Sequence, residues 1–427
     1  DSCLVGSEMC IRDRSMSVSQ RKTIAIIGAG QAGAQAVMTL RAGGFDGRLF
    51  LIGEEGHPPY QRPPLSKRYL TGDVEHSRLA LLPETFFDEN DVMCEFSNGV
   101  IRLDVAERRI ELADGAEIAF DQALIATGSK PRPLAVAGAG HAGVFAIRNL
   151  ADVNAMRPSL GRDGRAVIIG GGYIGLEVAA CCRALGLEVV VLEAGDRVMG
   201  RTTSEVVSRY FEGLHRANGV RIAVGAIVKG IDRQPSGEFV VKTANGDFAG
   251  GWVLVGIGAV PNDGLAKRAG LAVDNGILVD ECARTTAAEI FAAGDCTSFP
   301  SGRYGRRIRL ESVQNAIDQA KVAARAMLGH DERYDPVPWF WSDQYDVKYQ
   351  IAGLSQFSDG QVVRGDVEGG SFAVAYLCGK RLMAVDAINR PRDYMQARRM
   401  VPTVDPVDLE LLRDPSVGIN EAVAAGH

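Results

Sequence analysis

An α/β fold that carries one parallel-sheet unit twice is what this sequence predicts, and three observations predict it. A buried-strand pattern runs into a Gly-x-Gly-x-x-Gly turn at Gly28 and again at Gly170. Each turn opens a helical run, and a second apolar strand ending on an acid follows it. The 427 residues exceed what one hydrophobic core organises, so two or three domains are expected.

Thr23–Ile27 reads as a short buried strand, because a parallel sheet covered on both faces needs near-continuous apolar runs. Gly28, Gly30 and Gly33 follow, then a helical run to about Leu40. Residues 49–53 read as the next strand, ending at Glu54 and Glu55. Residues 122–129 form an apolar closing strand that runs into Thr127 and Gly128. The second copy starts at residues 166–169 and turns through Gly170, Gly172 and Gly175 into a helix ending near Leu185. Residues 187–192 are its second strand, ending at Glu193, and residues 252–262 its closing strand, with Gly258 and Pro261 near the end. Residues 290–296 form one more strand, expected to deliver Asp295 at a loop and helix start.

The spacing has a chemical purpose. The first glycine makes the tight turn out of the strand, the second lets backbone amides touch a pyrophosphate, and the third lets the helix pack on the strand. The helix N-terminus offers unpaired N–H groups to phosphate, and the acid after the second strand accepts from ribose hydroxyls. Two complete copies, each with strand, helix and acid, predict two Rossmann-like dinucleotide-binding domains.

Composition excludes several classes. Hydrophobic residues are 46% and charged residues 23%, an ordinary globular balance. The net charge of −6 argues against nucleic acid as a partner. No run of 18 apolar residues is present, so no membrane span is expected. The six histidines show no metal-ligand spacing, so no metal is expected. Eight cysteines are scattered without a CxxC pair, which points to a reduced, cytoplasmic chain. Residues 1–15 look foreign to the fold, with Met16 a plausible start, and residues 1–19 are read as a disordered or non-native extension.

The run GAGQAG, PPYQRPPLSK, ATG, GGGYIGLE, GIGAVPN, AAGDC and RLESVQNAIDQA resembles the FAD-dependent ferredoxin reductases that serve bacterial cytochrome monooxygenases and aromatic-ring dioxygenases. The resemblance extends to PWFWSDQY at residues 338–345 and AVDAINRP at residues 384–391. It implies a glutathione-reductase-like architecture. Residues 20–126 and 260–336 would form a discontinuous FAD domain, residues 127–259 an NAD domain, and residues 337–427 a C-terminal α+β domain. Tightly bound FAD would contact Gly28, Gly30, Ala32, Gly33, Glu54, Arg62, Lys67, Val100, Ala126, Thr127, Gly128, Arg148, Gly294, Asp295 and Val313. NADH would contact Gly170, Gly172, Tyr173, Ile174, Gly175, Glu193 and Gly258. Glu193 favours NADH, since a carboxylate there repels a 2′-phosphate, although Arg197 four residues on is a candidate for binding one.

The resemblance also assigns the chemistry: a hydride from NADH, and single electrons to a 2Fe–2S ferredoxin. It makes Lys67 and Glu177 the catalytic-site pair, near flavin and nicotinamide. On the residues alone they read equally well as a surface lysine and a carboxylate at a helix N-terminus. For ferredoxin docking the candidates are Arg306, Arg307, Arg309, Lys321, Arg325 and Trp341, with Trp339 beside it. On the residues alone a solvated face is the better reading of the charges, and domain core an equal reading of the tryptophans. A monomer or weak dimer fits the resemblance. The competing enzymes of this fold are an NADH oxidase, a peroxidase, a coenzyme A disulfide reductase and a rubredoxin reductase. The first three usually need a redox cysteine, and residues 62–67, where one is expected, read RPPLSK. A signalling protein like the apoptosis-inducing-factor group would favour a basic surface. A nucleotide-binding module without turnover leaves Lys67 and Glu177 without a purpose.

Overall fold

The computed structural model describes residues 21–161 and 164–424. The extension expected over residues 1–19 lies outside the described residues. β1 (Thr23–Ile27), buried along its whole length, is the central strand of a five-stranded parallel sheet. α1 (Gln31–Ala42) leaves it through the first glycine turn, and β2 (Arg48–Ile52) pairs on one side. The strand Gln122–Ile125 pairs on the other side, with Val92–Glu95 and Ile290–Ala292 at the edges. The second sheet repeats the plan. β3 (Arg165–Ile169) is central, α2 (Tyr173–Ala184) leaves it, and β4 (Glu188–Leu192) and Trp252–Val255 flank it. α3 (Glu205–Ala217) follows β4, and its N-cap Ser204 accepts from Val207 N.

The registers match between copies. Ile27 lies level with Ile52 and Ile125, and Ile169 with Leu192 and Val255. In both sheets later strands flank the first strand on each side, so a crevice opens beyond the strands' C-terminal ends.

The closing strands are shorter than residues 122–129 and 252–262 predict. Turns at Gly128 and Gly258 end them, and the short strands Ser129–Pro131 and Ala259–Pro261 then pair antiparallel. The chain therefore crosses from the first sheet to the second and back along one ribbon. Asp295 also departs from expectation. It sits in a turn before the strand Thr297–Ser301, not at a helix start, because the strand formers Thr297 and Phe299 soon follow and pair in a hairpin with Arg306–Ile308.

α4 (Val313–Met327) buries Ala316, Ala320, Ala323 and Ala324 in the same core as Ala32, Ala36 and Leu40 of α1. The small side chains let the two helices approach closely. β5 (Trp339–Gln344) begins a five-stranded antiparallel sheet with Val347–Gly353, Arg381–Ile388, Ser371–Cys378 and Gly360–Asp366, and α5 (Pro391–Met400) packs on it. One hydrophobic cluster joins Leu65 and Tyr69, Leu176 of α2, Phe211 of α3, and Tyr349, Phe372 and Tyr376 of this sheet. The C-terminal sheet thus shares a core with both nucleotide units.

Asp386 lies in that sheet, fully buried. Oδ2 accepts from the Tyr376 hydroxyl, and the Tyr349 hydroxyl lies beside the same carboxyl. Burial pushes this carboxyl from 3.8 up to about 7. Between those values the native state holds a proton that the unfolded chain has released, so Asp386 weakens folding as pH rises through that window. Asp386→Asn should melt a few degrees above wild type at about pH 8, with the difference fading toward about pH 4. Thermal melts across that range check it.

Candidate functional site

Both glycine turns open into one cleft of about 1620 Å³, larger than the roughly 300–1,000 Å³ of a single small-ligand site. The glycines of each turn divide their tasks as the spacing predicts. Gly28 and Gly170 have φ of +121° and +109°, and a Cβ there would lie 2.2 Å from Ala126 O and 2.3 Å from Gly256 O. At Gly33 and Gly175 a Cβ would lie 2.0 Å from Gly28 O and 2.1 Å from Gly170 O. At Gly30 and Gly172 it would meet nothing beyond its chain neighbours within 4 Å among the described residues, and both residues line the cleft. Each is an N-cap without a side-chain cap, so the helix-start amides are left for a ligand. Two such cradles on one cleft fit two dinucleotides.

Of the residues expected to hold cofactors, all line this cleft except Gly33 and Gly175. Those two pack behind the turns against the first glycines, where they let the helix lie close on the strand. Tyr173 presents its backbone to the helix start. Its ring packs 4.9 Å from the Phe340 ring and 6.1 Å from Tyr349.

The two acids are held differently. Glu193 Oε2 accepts from Gly171 N at 2.8 Å and Oε1 from Gly195 N at 2.7 Å, so its carboxylate is fixed across the second turn. Glu54 is exposed at the first turn and makes no hydrogen bond or ion pair among the described residues. Arg197 donates to Thr203 O at 2.9 Å and Gly200 O at 3.0 Å, so backbone carbonyls already hold it. Arg201, which sequence reasoning missed, lines the cleft and reaches within 3.2 Å of where a Gly258 Cβ would stand. No motif marks it.

Asp295 is fixed at the opposite wall. Ser129 Oγ donates to Oδ2 at 2.9 Å, Arg148 lies 3.4 Å away, and Gln319 Oε1 accepts from Gly294 N at 2.9 Å. Burial pushes this carboxyl above the usual carboxylate range, while Arg148 and Ser129 pull it back. Arg62 bonds Glu55 and Arg148 O and stacks 5.1 Å from the Tyr60 ring centroid.

Lys67 and Glu177 meet between the two turns. Lys67 Nζ lies 2.7 Å from Glu177 Oε2, with the side chains 19% and 4% exposed. Ser66 Oγ donates to the same oxygen, and Ser342 Oγ donates to Oε1 at 2.7 Å. Three segments far apart in sequence therefore converge on one carboxylate. No cysteine lines the cleft among the described residues. Cys296 is fully buried, and burial pushes its thiol up to about 11.

The docking candidates are spread out. Trp341 and Trp339 line the cleft with ring centroids 5.8 Å apart, and Arg398 of α5, also missed, stacks 4.7 Å over Trp339. Arg306 stacks 4.6 Å over Phe357. Arg307 donates to Val279 O and Ser298 O, and Arg309 lies 2.6 Å from Glu311. Lys321 lies 3.5 Å from Asp318, and Arg325 pairs with Glu332. Among the described residues no three His, Cys, Asp or Glu side chains form a metal site, and no helix is long and apolar enough to cross a membrane.

Residues 22–320 match the family model described as pyridine nucleotide-disulphide oxidoreductase. The chain belongs to this family. Its members use FAD with NAD(H), so this oxidoreductase has the two cofactors that its two cradles fit. Residues 339–423 match a second model, the reductase C-terminal family. The oxidoreductase is 43% identical over 403 residues to rhodocoxin reductase of Rhodococcus erythropolis, covering 94% of each chain. It is 39% identical to the ferredoxin–NAD(+) reductase component of the anthranilate 1,2-dioxygenase system of Burkholderia cepacia, covering 92% of this chain and 97% of that protein. Among solved structures it resembles the covalent putidaredoxin reductase–putidaredoxin complex, with a TM-score of 0.91, 37% identity, and coverage of 95% and 99% of the two chains.

Proposed function

We propose that this oxidoreductase takes a hydride from NADH and passes electrons singly to a 2Fe–2S ferredoxin that feeds an oxygenase. The observation that carries this is a single cleft shared by two dinucleotide cradles, with an ion pair between them and no cysteine on its wall among the described residues. Bound at the first cradle, FAD supplies the exchange between two-electron and one-electron transfer, which nicotinamide does not readily perform.

The chain's own residues bind and orient. The α1 amides and Gly30 take the FAD pyrophosphate, Glu54 its adenosine ribose, and Asp295 a ribityl hydroxyl. The α2 amides and Gly172 take the NADH pyrophosphate, and Glu193 takes the ribose hydroxyls that a 2′-phosphate would replace. Lys67 and Glu177 lie between the cradles, where the cation stabilises negative charge arriving with the hydride. We assign neither a proton-transfer role. The domain limits are part of this proposal: 20–126 with 260–336 for FAD, 127–259 for NAD, and 337–427 for the C-terminal domain. The crossing ribbon at 129–131 and 259–261 supports them.

The ferredoxin would dock over Trp341, Trp339 and Arg398, where an aromatic pair and a cation meet the cleft. Arg306, Arg307, Arg309, Lys321 and Arg325 would serve an acidic partner only by sharing themselves with the internal partners named above. The scattered cysteines support a reducing, cytoplasmic setting and the family a monomer or weak dimer.

The test is NADH-dependent cytochrome c reduction with and without a 2Fe–2S ferredoxin. Ferredoxin should raise the rate at least about tenfold, and cluster-free ferredoxin should not. Equal NADH consumption without ferredoxin, with oxygen disappearing in step, would make this an oxidase instead.

A further inference from the structure

A chain of hydrogen bonds runs from a hairpin tip of the C-terminal sheet to Glu177. The Tyr345 hydroxyl lies 3.2 Å from His215 Nδ1, and His215 Nε2 lies 2.8 Å from Gln344 Oε1. Gln344 Nε2 lies 3.2 Å from Ser342 Oγ, which lies 2.7 Å from Glu177 Oε1. His215, Gln344 and Ser342 are all 0% exposed.

Chemistry fixes the direction of every link. The ion-paired Glu177 carboxylate only accepts, so Ser342 must donate to it. Ser342 Oγ then accepts from the Gln344 amide nitrogen, which leaves the amide oxygen facing His215. His215 therefore carries its proton on Nε2, and Nδ1 accepts from Tyr345. Burial pushes His215 below its ordinary value, which agrees with a neutral ring. All donors thus point toward one carboxylate oxygen.

A second observation lies at the outer end. Tyr345 opens the two-residue turn between β5 and Val347–Gly353 with φ of +56°. A bulky side chain is unfavourable in that conformation, and such turns prefer glycine or asparagine. The strain is retained at the residue whose hydroxyl terminates the chain.

We infer that Ser342, Gln344 and His215 are positioning residues, which hold Glu177 by Oε1 so that Oε2 stays on Lys67. Glu177 is then the fixed member of the pair. Lys67, on a flexible stem with Pro63 O at 3.3 Å as its one further partner among the described residues, is the member that moves when the nicotinamide enters. Through these residues the C-terminal sheet becomes part of the hydride-transfer site. This inference rests on Lys67 and Glu177 serving the reaction proposed above.

Two readouts on Ser342→Ala test it. The first is competitive acetylation of the FAD-loaded, NADH-free protein with acetic anhydride, read at Lys67 by mass spectrometry against the exposed Lys229 and Lys348. With Glu177 released, Lys67 should label about three- to tenfold faster. The second is anaerobic stopped-flow reduction by NADH, whose limiting rate should fall about tenfold with NADH affinity changed less than about twofold. Ser342→Thr, which keeps the hydroxyl, should restore both. Gln344→Met cuts the chain one link further out, and the same changes should appear there, smaller. It also serves as the test if Ser342→Ala does not fold. Unchanged Lys67 labelling in the variants overturns the inference, as does faster labelling with an unchanged limiting rate. A wild-type holoprotein that NADH fails to reduce sinks the proposed function instead, and the labelling result stands apart from it.

Discussion

Gly172→Ala should stay yellow and lose NADH, while Gly30→Ala should lose its yellow colour. A Cβ at either position meets nothing beyond its chain neighbours within 4 Å among the described residues, so the fold has no cause to change. The methyl group enters the space that a pyrophosphate needs in order to reach the helix-start amides. A loss of about 100-fold in affinity, or about 2.7 kcal/mol, is expected at the altered cradle alone. FAD content per chain and the dissociation constant for NADH measure the two sites separately. Gly33→Ala and Gly175→Ala are the contrasting pair. There a Cβ would press on a backbone carbonyl at 2.0 and 2.1 Å, so whole-molecule stability should fall along with binding. If Gly172→Ala bleached the protein and Gly30→Ala spared FAD, the two cradles would have been assigned the wrong way round.

What the sequence made legible was local. Thr23–Ile27 and residues 166–169 read as strands because central parallel strands are apolar along their whole length, and nothing else of that length fits. The glycine spacing then dictated the turn, the helix and the crevice, since each glycine answers a short-range steric demand. Lengths were less legible. Residues 122–129 kept an apolar pattern through Gly128, and only the partner strand Ala259–Pro261, brought back by the whole second unit, shows why the chain breaks there. The helix start predicted at Asp295 failed for a related reason, since the chain from Thr297 pairs with Arg306–Ile308 instead.

The site was legible in its parts but not in its connections. Lys67 and Glu177 stood out only through resemblance. Glu177 is joined to Ser66 across 111 residues and to Ser342 across 165, distances at which sequence pattern carries no signal. Basic residues misled for the opposite reason. A run such as Arg306, Arg307 and Arg309 looks like a patch, yet strand alternation and nearby acceptors send each guanidinium to a different partner. Arg398 and Trp339 form the aromatic–cation contact at the cleft from two elements that the sequence never set side by side.

Lys67→Met should lower the limiting rate of flavin reduction by NADH about 100-fold, the loss expected for a preorganised charge removed from a closed site. It should also destabilise the fold, because Glu177 is 4% exposed and would keep a buried carboxylate with only two hydroxyl donors. Removing one partner of a buried pair costs about 3–5 kcal/mol. Glu177→Gln should cost about tenfold in rate, since its amide oxygen still accepts a hydroxyl but no longer attracts the lysine. The double variant separates the two meanings of the pair. With neither charge buried alone, Lys67→Met with Glu177→Gln should recover most of the lost melting temperature while its rate stays near that of Lys67→Met. Thermal melts and anaerobic stopped-flow on the same four proteins measure both quantities. Recovery of rate along with stability would reduce the pair to a packing device. Recovery of stability alone would mean that the pair is kept for the sake of a hydride that passes beside it rather than for the fold.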